Sequence, residues 1–157
     1  MAVHDLIDLP HNLPPMTPLF GLDLGEKTIG VAVSDLTRTI ASPLELIRRS
    51  KFTLEAEHLF RRMQSRGAVG LVLGLPVNMD GTEGPRCQSV RAFARNLLRL
   101  RGDLAIGFWD ERLSSAAVNR MLIGEADMTR ARRAEVVDKA AAAYILQGAL
   151  DRLAQAH

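Results

Sequence analysis

A chain of 157 residues is long enough for one domain with a proper core. Its 47% apolar residues, 24% charged residues and formal net charge of +2 are those of an ordinary soluble globular protein, and the charge alone names no partner. The single cysteine, Cys87, excludes an internal disulfide and favours a reducing cytoplasm, no Cys/His spacing suggests zinc, no apolar run is long enough for a membrane span, and acids and prolines near the start exclude a signal peptide.

Residues 1–18 carry Pro10, Pro14, Pro15 and Pro18 without sustained periodicity, and read as a flexible leader to a single domain over 19–157. Residues 19–24 and 28–34 read as strands joined by the tight turn Gly25-Glu26-Lys27-Thr28. A third strand is expected over 39–47, where Pro43 calls for an edge position or a bulge. Thr53 can cap a helix to Arg66 that Gly67 ends. Residues 68–75, AVGLVLGL, have almost no polar side chain, the pattern of a central parallel strand covered on both faces. A Gly/Asn/Asp loop over 76–84 precedes a helix that Pro85 opens and that runs to 100. Residues 104–109 form the last strand and 114–122 a short helix. A polar, basic mobile loop is expected over 124–133, and a long helix over 134–154. Three strands with short connections followed by βα units predict an α/β protein with a mixed five-stranded sheet and helices on both faces, in which the first strand pairs with the fourth and the fourth with the fifth.

Sites in such sheets form at the carboxyl ends of the parallel strands. Strand side chains alternate faces, so Asp23 shares a face with Gly21 and Gly25, and the space beside it is open to a metal ion or a phosphodiester. At the end of the fifth strand, Ala105, Gly107, Trp109 and Glu111 share one face while Ile106, Phe108 and Asp110 share the other. The small-residue face resembles that of Asp23 and favours Glu111 over Asp110 as its partner. In the final helix Asp138, Ala141, Ala142 and Ile145 fall on one stripe, where Asp138 is either a third acid of the site or a boundary acid paired with Lys139 or an arginine. Three converging carboxylates are the ligands selected by Mg²⁺ or Mn²⁺, the chemistry of metal-assisted phosphodiester hydrolysis.

The blocks GLDLGEKTIGVAVSD at 21–35, GLPVNMDGTEG at 74–84, DERLSS at 110–115 and VVDKAAAAYILQ at 136–147 resemble the signature blocks of the YqgF, or RuvX-type, family. Its members have an RNase H-like fold and are described as Holliday junction resolvases and as nucleases maturing the 5′ end of pre-16S rRNA. The resemblance implies catalytic, metal-binding acids at Asp23, Glu111 and Asp138 and the strand order 3-2-1-4-5. RuvC resolvases carry a fourth acid three residues beyond the equivalent of Asp138; here that place is Ala141, which weighs against four-way junctions more than against nuclease chemistry in general.

Arginine supplies the expected contacts to nucleic acid. Arg91, Arg95 and Arg99 recur every four residues on a helix with no acid between Pro85 and Arg101, and Arg130, Arg132 and Arg133 sit in the expected basic loop. Lys27, Asn78 and Arg112 join the loop arginines as candidate binding residues, although Asn78 and Asp80 can equally stabilise their own loop through Asx turns. Phe52, Phe60, Phe93 and Phe108 read as core, and nothing resembles a base-reading motif. The functions in competition are a metal-dependent nuclease on pre-rRNA or branched DNA, acting as monomer or homodimer; a phosphotransferase of the actin and sugar-kinase kind, disfavoured because that activity needs two such domains; and a non-catalytic module binding rRNA or a ribosomal factor.

Overall fold

The computed structural model describes residues 2–113 and 130–156, with the backbone alone at 2, 130–139 and 156. The helix expected over 114–122 and the loop residues 124–129 lie outside the described residues. Strands β1 (Ala2–Val3), β2 (Leu19–Leu24), β3 (Thr28–Ser34), β4 (Ala41–Arg48), β5 (Gly70–Leu75) and β6 (Ala105–Asp110) form one sheet in the order β1-β6-β5-β2-β3-β4. The five longer strands therefore follow the expected 3-2-1-4-5 order. β2 pairs antiparallel with β3 and parallel with β5, and β5 pairs parallel with β6. β4 is the outer strand, and its ladder with β3 slips between Val31 and Ala32, where Pro43 stands opposite Ala32. The proline thus has both the edge and the irregularity that its missing N–H requires.

The alternation of side chains assigns each strand two faces, and each face has its own cover. Phe20, Leu22, Leu71, Leu73 and Ile106 turn to one side and pack with α1 (Phe52–Arg66) and α2 (Pro85–Leu100). Leu19, Val72, Ala105 and Trp109 turn to the other and meet Ala142, Ile145 and Leu146 of α3 (Arg130–Ala156). The end of α1 is set by Gly67, left-handed at φ 71, whose N–H returns to the carbonyls of Gln64 and Met63. At the start of α1 the expected Thr53 cap is absent. Lys51 occupies the cap position without a side-chain bond, and Glu55 accepts the Ser50 N–H instead.

The first eighteen residues, expected to be flexible and outside the domain, are laid against it. β1 adds a parallel edge to β6, and the His4 N–H donates to the Ile106 carbonyl at 2.8 Å. A 3-10 helix follows over Leu6–Asn12. Three residues per turn bring Leu6 and Leu9 onto one side. Leu9 is fully buried there, against the bare backbone of Gly107. Burying one such side chain is worth about 1.5–3 kcal/mol, one contribution beside the β1 pairing, the buried Leu13 and the Arg38 bonds. The prolines hid this because a 3-10 turn with Pro10 inside it has no 3.6-residue period.

Arg38 secures the other end of the segment. Its guanidinium donates to the Thr17 carbonyl at 2.7 Å, the Pro14 carbonyl at 2.6 Å and the Thr17 hydroxyl at 2.8 Å. The turn presenting Arg38 is held by Asp35. N–H bonds from Ile40 and Thr39 and the Thr37 hydroxyl hold its carboxyl down from the ordinary 3.8 to about 2. A depressed carboxyl stabilises the fold fully above its ordinary value, so this turn keeps its support down to about pH 4 and loses it as pH falls through about 2. Arg38→Ala is expected to cost about 1–2 kcal/mol. Urea unfolding should show the loss, and faster amide exchange should appear in residues 4–17 while β5 stays protected.

Candidate active site

Asp23 is the fifth residue of β2, opposite Gly30 of β3, and is half-buried. The turn after it closes when the Gly25 N–H donates to the Thr28 carbonyl at 2.9 Å. A Cβ on Gly25 would stand 2.8 Å from that carbonyl oxygen, so the turn takes glycine there.

Glycine also sets the floor of the site. β2 and β5 run in register from Leu19 opposite Gly70 to Leu22 opposite Leu73. Asp23 and Gly74 follow the last pair, and strand alternation puts each on the α3 face. A Cβ on Gly74 would lie 3.3 Å from the carboxyl carbon of Glu111 and 2.6 Å from the Ile145 Cδ1 atom. Glu111 therefore folds over Gly74 from the first position of the 3-10 turn Glu111–Leu113, just past β6. Glu111 thus lies over Gly74 at the carboxyl ends of β5 and β6, and Asp23 stands near the end of the neighbouring strand β2, on the same face of the sheet. The third expected acid, Asp138, belongs to α3 one turn before the fully buried Ala142. Its side chain lies outside the described residues, and among the described residues no three His, Cys, Asp or Glu side chains gather into a metal cluster.

Asp110 points elsewhere. Its carboxylate takes the Arg112 fork, Nη2 to Oδ2 at 2.7 Å and Nε to Oδ1 at 3.1 Å, together with the Arg112 backbone N–H at 3.0 Å. The Arg112 fork holds its carboxyl below the usual range and raises the guanidinium in turn. The pair leaves the Arg112 guanidinium beside the loop after β5, with Nη1 3.5 Å from the Met79 carbonyl. In that loop the Asn78 amide donates to the Thr82 hydroxyl at 3.0 Å. Asp80 accepts that same hydroxyl and the Thr82 N–H, and the hydroxyl is the main cause holding the Asp80 carboxyl low. Both side chains thus build the loop. Lys27 is exposed at the tip of the turn after β2.

The helical arginine stripe has other partners. Arg91 forks onto Glu83 at 2.7 and 2.8 Å and lies 4.9 Å over the Phe108 ring, while Arg101 pairs with Asp103 and covers Phe60. A helix without acids of its own takes one from the loop that precedes it. Arg130, Arg132 and Arg133, expected in a loop, open α3 instead; their side chains lie outside the described residues. Cys87 is fully buried, and burial pushes its thiol up, away from any nucleophilic role.

Arg49, which nothing in the sequence singled out beyond its place after a basic Arg48, meets the turn after β2 from below. Its Nε donates to the buried Glu55 carboxylate at 2.7 Å and its Nη1 to the Gly25 carbonyl at 2.7 Å. A cleft of about 220 Å³ beside it is lined by Gly25, Glu26, Arg86 and Ser89.

A family model described as "RuvX: Holliday junction resolvase" matches residues 17–152. The chain is 77% identical over 153 residues to a protein of Phenylobacterium zucineum, with 98% of each chain covered, and 65% identical over 153 residues to one of Caulobacter vibrioides, again with 98% of each covered; both carry the name "Putative pre-16S rRNA nuclease". Among solved structures, the yeast mitochondrial Holliday junction resolvase Ydc2 superposes with a TM-score of 0.55 at 10% identity, covering 96% of this chain and 85% of that one. Thermus thermophilus RuvC in complex with a Holliday junction substrate gives 0.53 at 10% identity, covering 88% and 96%. These two likenesses show the RNase H-like fold. No helix among the described residues is long and apolar enough to cross a membrane.

Proposed function

Since the chain belongs to the RuvX family, we propose that it is a metal-dependent nuclease, a hydrolase of phosphodiester bonds that processes the 5′ end of pre-16S rRNA in the cytoplasm. The observation that carries this reading is the Glu111 carboxyl lying over Gly74, on the sheet face that Asp23 of the neighbouring strand shares. Carboxylate oxygens are the donor set that hard cations take, so the residues present suit Mg²⁺ or Mn²⁺. Asp23, Glu111 and Asp138 would hold the ions, which supply charge stabilisation at the scissile phosphate and, as a pair, the two-metal form of phosphodiester hydrolysis.

The remaining work falls to the chain's own groups. Gly74 leaves room for the Glu111 carboxyl, and Gly21 lets α3 pack closely beneath the site. Arg112, fixed in direction by Asp110, offers positive charge at the rim, where a flanking phosphate passes. Lys27 and the arginines 130, 132 and 133 extend that charge along the strand being cut, while Asn78 acts through the shape of its loop.

The family's description favours a second reading, resolution of four-way DNA junctions. Ala141, fully buried against the sheet, stands where RuvC resolvases carry a further acid, and on that ground the rRNA reading is preferred. Purified protein should trim a pre-16S transcript at its 5′ end in Mg²⁺ or Mn²⁺, lose that activity in EDTA, and cut a four-way junction poorly in the same assay. Full activity in chelator would sink the metal-dependent mechanism, and preferential cutting of the junction would reverse the choice of substrate.

A further inference from the structure

The turn that follows Asp23 is gripped from one side by a single residue. The backbone N–H of Arg49 donates to the Lys27 carbonyl at 2.9 Å, and its guanidinium donates to the Gly25 carbonyl at 2.7 Å. One residue therefore binds two carbonyls of the four-residue turn. The guanidinium is itself anchored: Nε meets Glu55 Oε2 at 2.7 Å, and the Glu55 side chain is 1% exposed while that of Arg49 is 32% exposed. Glu55 is fixed in turn by its place in the first turn of α1 and by the Ser50 N–H at 2.9 Å. The chain of contacts runs from the core side of α1, through a buried carboxylate and a planar fork, to the carbonyl two residues beyond Asp23. A buried ion pair is weak evidence for stability, because desolvation offsets most of its Coulomb gain. Its value lies in direction: the fork meets two acceptors at a fixed angle, which an apolar contact does not.

We propose that Arg49, anchored by Glu55, is a positioning residue: it sets the turn carrying Asp23 at its base and Lys27 at its tip, and so fixes both against the substrate phosphate. This rests on the nuclease reading above. The ladder to β3 and β5 already fixes the middle of β2, but the register with β5 stops at Leu22. Beyond that point the turn depends on β3 and on Arg49.

Arg49→Ala alone strands a buried carboxylate and tests folding instead. The informative variant is Arg49→Met/Glu55→Met, which removes the fork and the buried charge together and keeps the volume apolar. A misplacement of about 1 Å costs about 100-fold, so kcat on the nucleic-acid substrate is expected to fall by about that factor with KM nearly unchanged. Amide exchange at Gly25 and Thr28 should accelerate about tenfold, the size of one lost charge-assisted hydrogen bond, while β5 amides stay protected. Arg49→Lys, which keeps a donor near both acceptors, should recover part of kcat. A double variant with wild-type kcat overturns the proposal. So does one whose kcat falls without faster exchange in the turn, since the loss then has another route. Absence of cleavage by the wild-type protein is a different result: it removes the nuclease reading, and the exchange data then decide by themselves whether Arg49 holds the turn.

Discussion

Asp23→Asn, Glu111→Gln and Asp138→Asn should each lower phosphodiester cleavage by about 100-fold or more while leaving nucleic-acid binding in place, because each removes a carboxylate that would hold the metal ions supplying charge stabilisation at the reacting phosphate. For Glu111 the ground is its carboxyl over Gly74, and for Asp23 its place near the end of the neighbouring strand on the same face. For Asp138 it is the position one helical turn before Ala142, on a helix packed on β2 and β5. Gel shift in EDTA should show binding unchanged or tighter, since a negative charge facing phosphate has gone. Asp110→Asn is the control. Its carboxylate is engaged with Arg112 on the other side of the strand, so the change should loosen Arg112 and raise KM a little while kcat stays near wild type. A dead Asp110→Asn beside an active Glu111→Gln would exchange their roles. Full cleavage by all four variants would show that these acids do not carry the reaction and would end the carboxylate-metal mechanism.

Packing beneath the site yields the other large effect. A Cβ on Gly21 would lie 2.7 Å from the Leu146 Cβ atom and 3.3 Å from the Ala142 carbonyl oxygen, both close to the α3 backbone and unable to swing aside. Gly21→Val should therefore cost about 3 kcal/mol or prevent folding, at the upper end of overpacking penalties. Gly74→Ala differs in kind. Its nearest obstacle, at 2.6 Å, is the flexible end of Ile145, and the next on the site side, at 3.3 Å, is the carboxyl group of Glu111. The methyl should cost about 1–2 kcal/mol after a smaller gain from the stiffer unfolded chain. Adding Ile145→Val removes the Cδ1 atom and should restore much of the melting temperature, but cleavage should stay low because Glu111 is still displaced. Recovery of activity together with stability would show that Gly74 matters for packing alone.

Much of this arrangement is local and was readable in order along the chain. The Gly67 stop, the Pro85 start and the bounds of α2 follow from backbone chemistry within a few residues, and each appears as expected. The two-residue period of a strand depends on nothing distant, so the faces of Ala105 to Asp110 could be read from parity; Glu111 itself lies past the strand, in a 3-10 turn, with its carboxyl over Gly74, while Asp110 is turned to Arg112. Partner choice is another matter. Arg91 spends its charge on Glu83, Arg38 reaches back to Pro14, and Gln147 bonds the backbone at Thr39 and Ala41 from the far end of the chain. No local period encodes such pairs, because they exist only once the sheet has brought the elements together. The leader shows the same division: its prolines are a local fact, but its order comes from Leu9 seated over Gly107 and from the guanidinium of Arg38. The sequence by itself determined the five longer strands, the faces their side chains take and their order in the sheet. Only the tertiary structure decided which charges are already spent on one another and that Arg49 holds the turn after Asp23, since hydrogen-bond partners are settled by distance in space and not by distance along the chain.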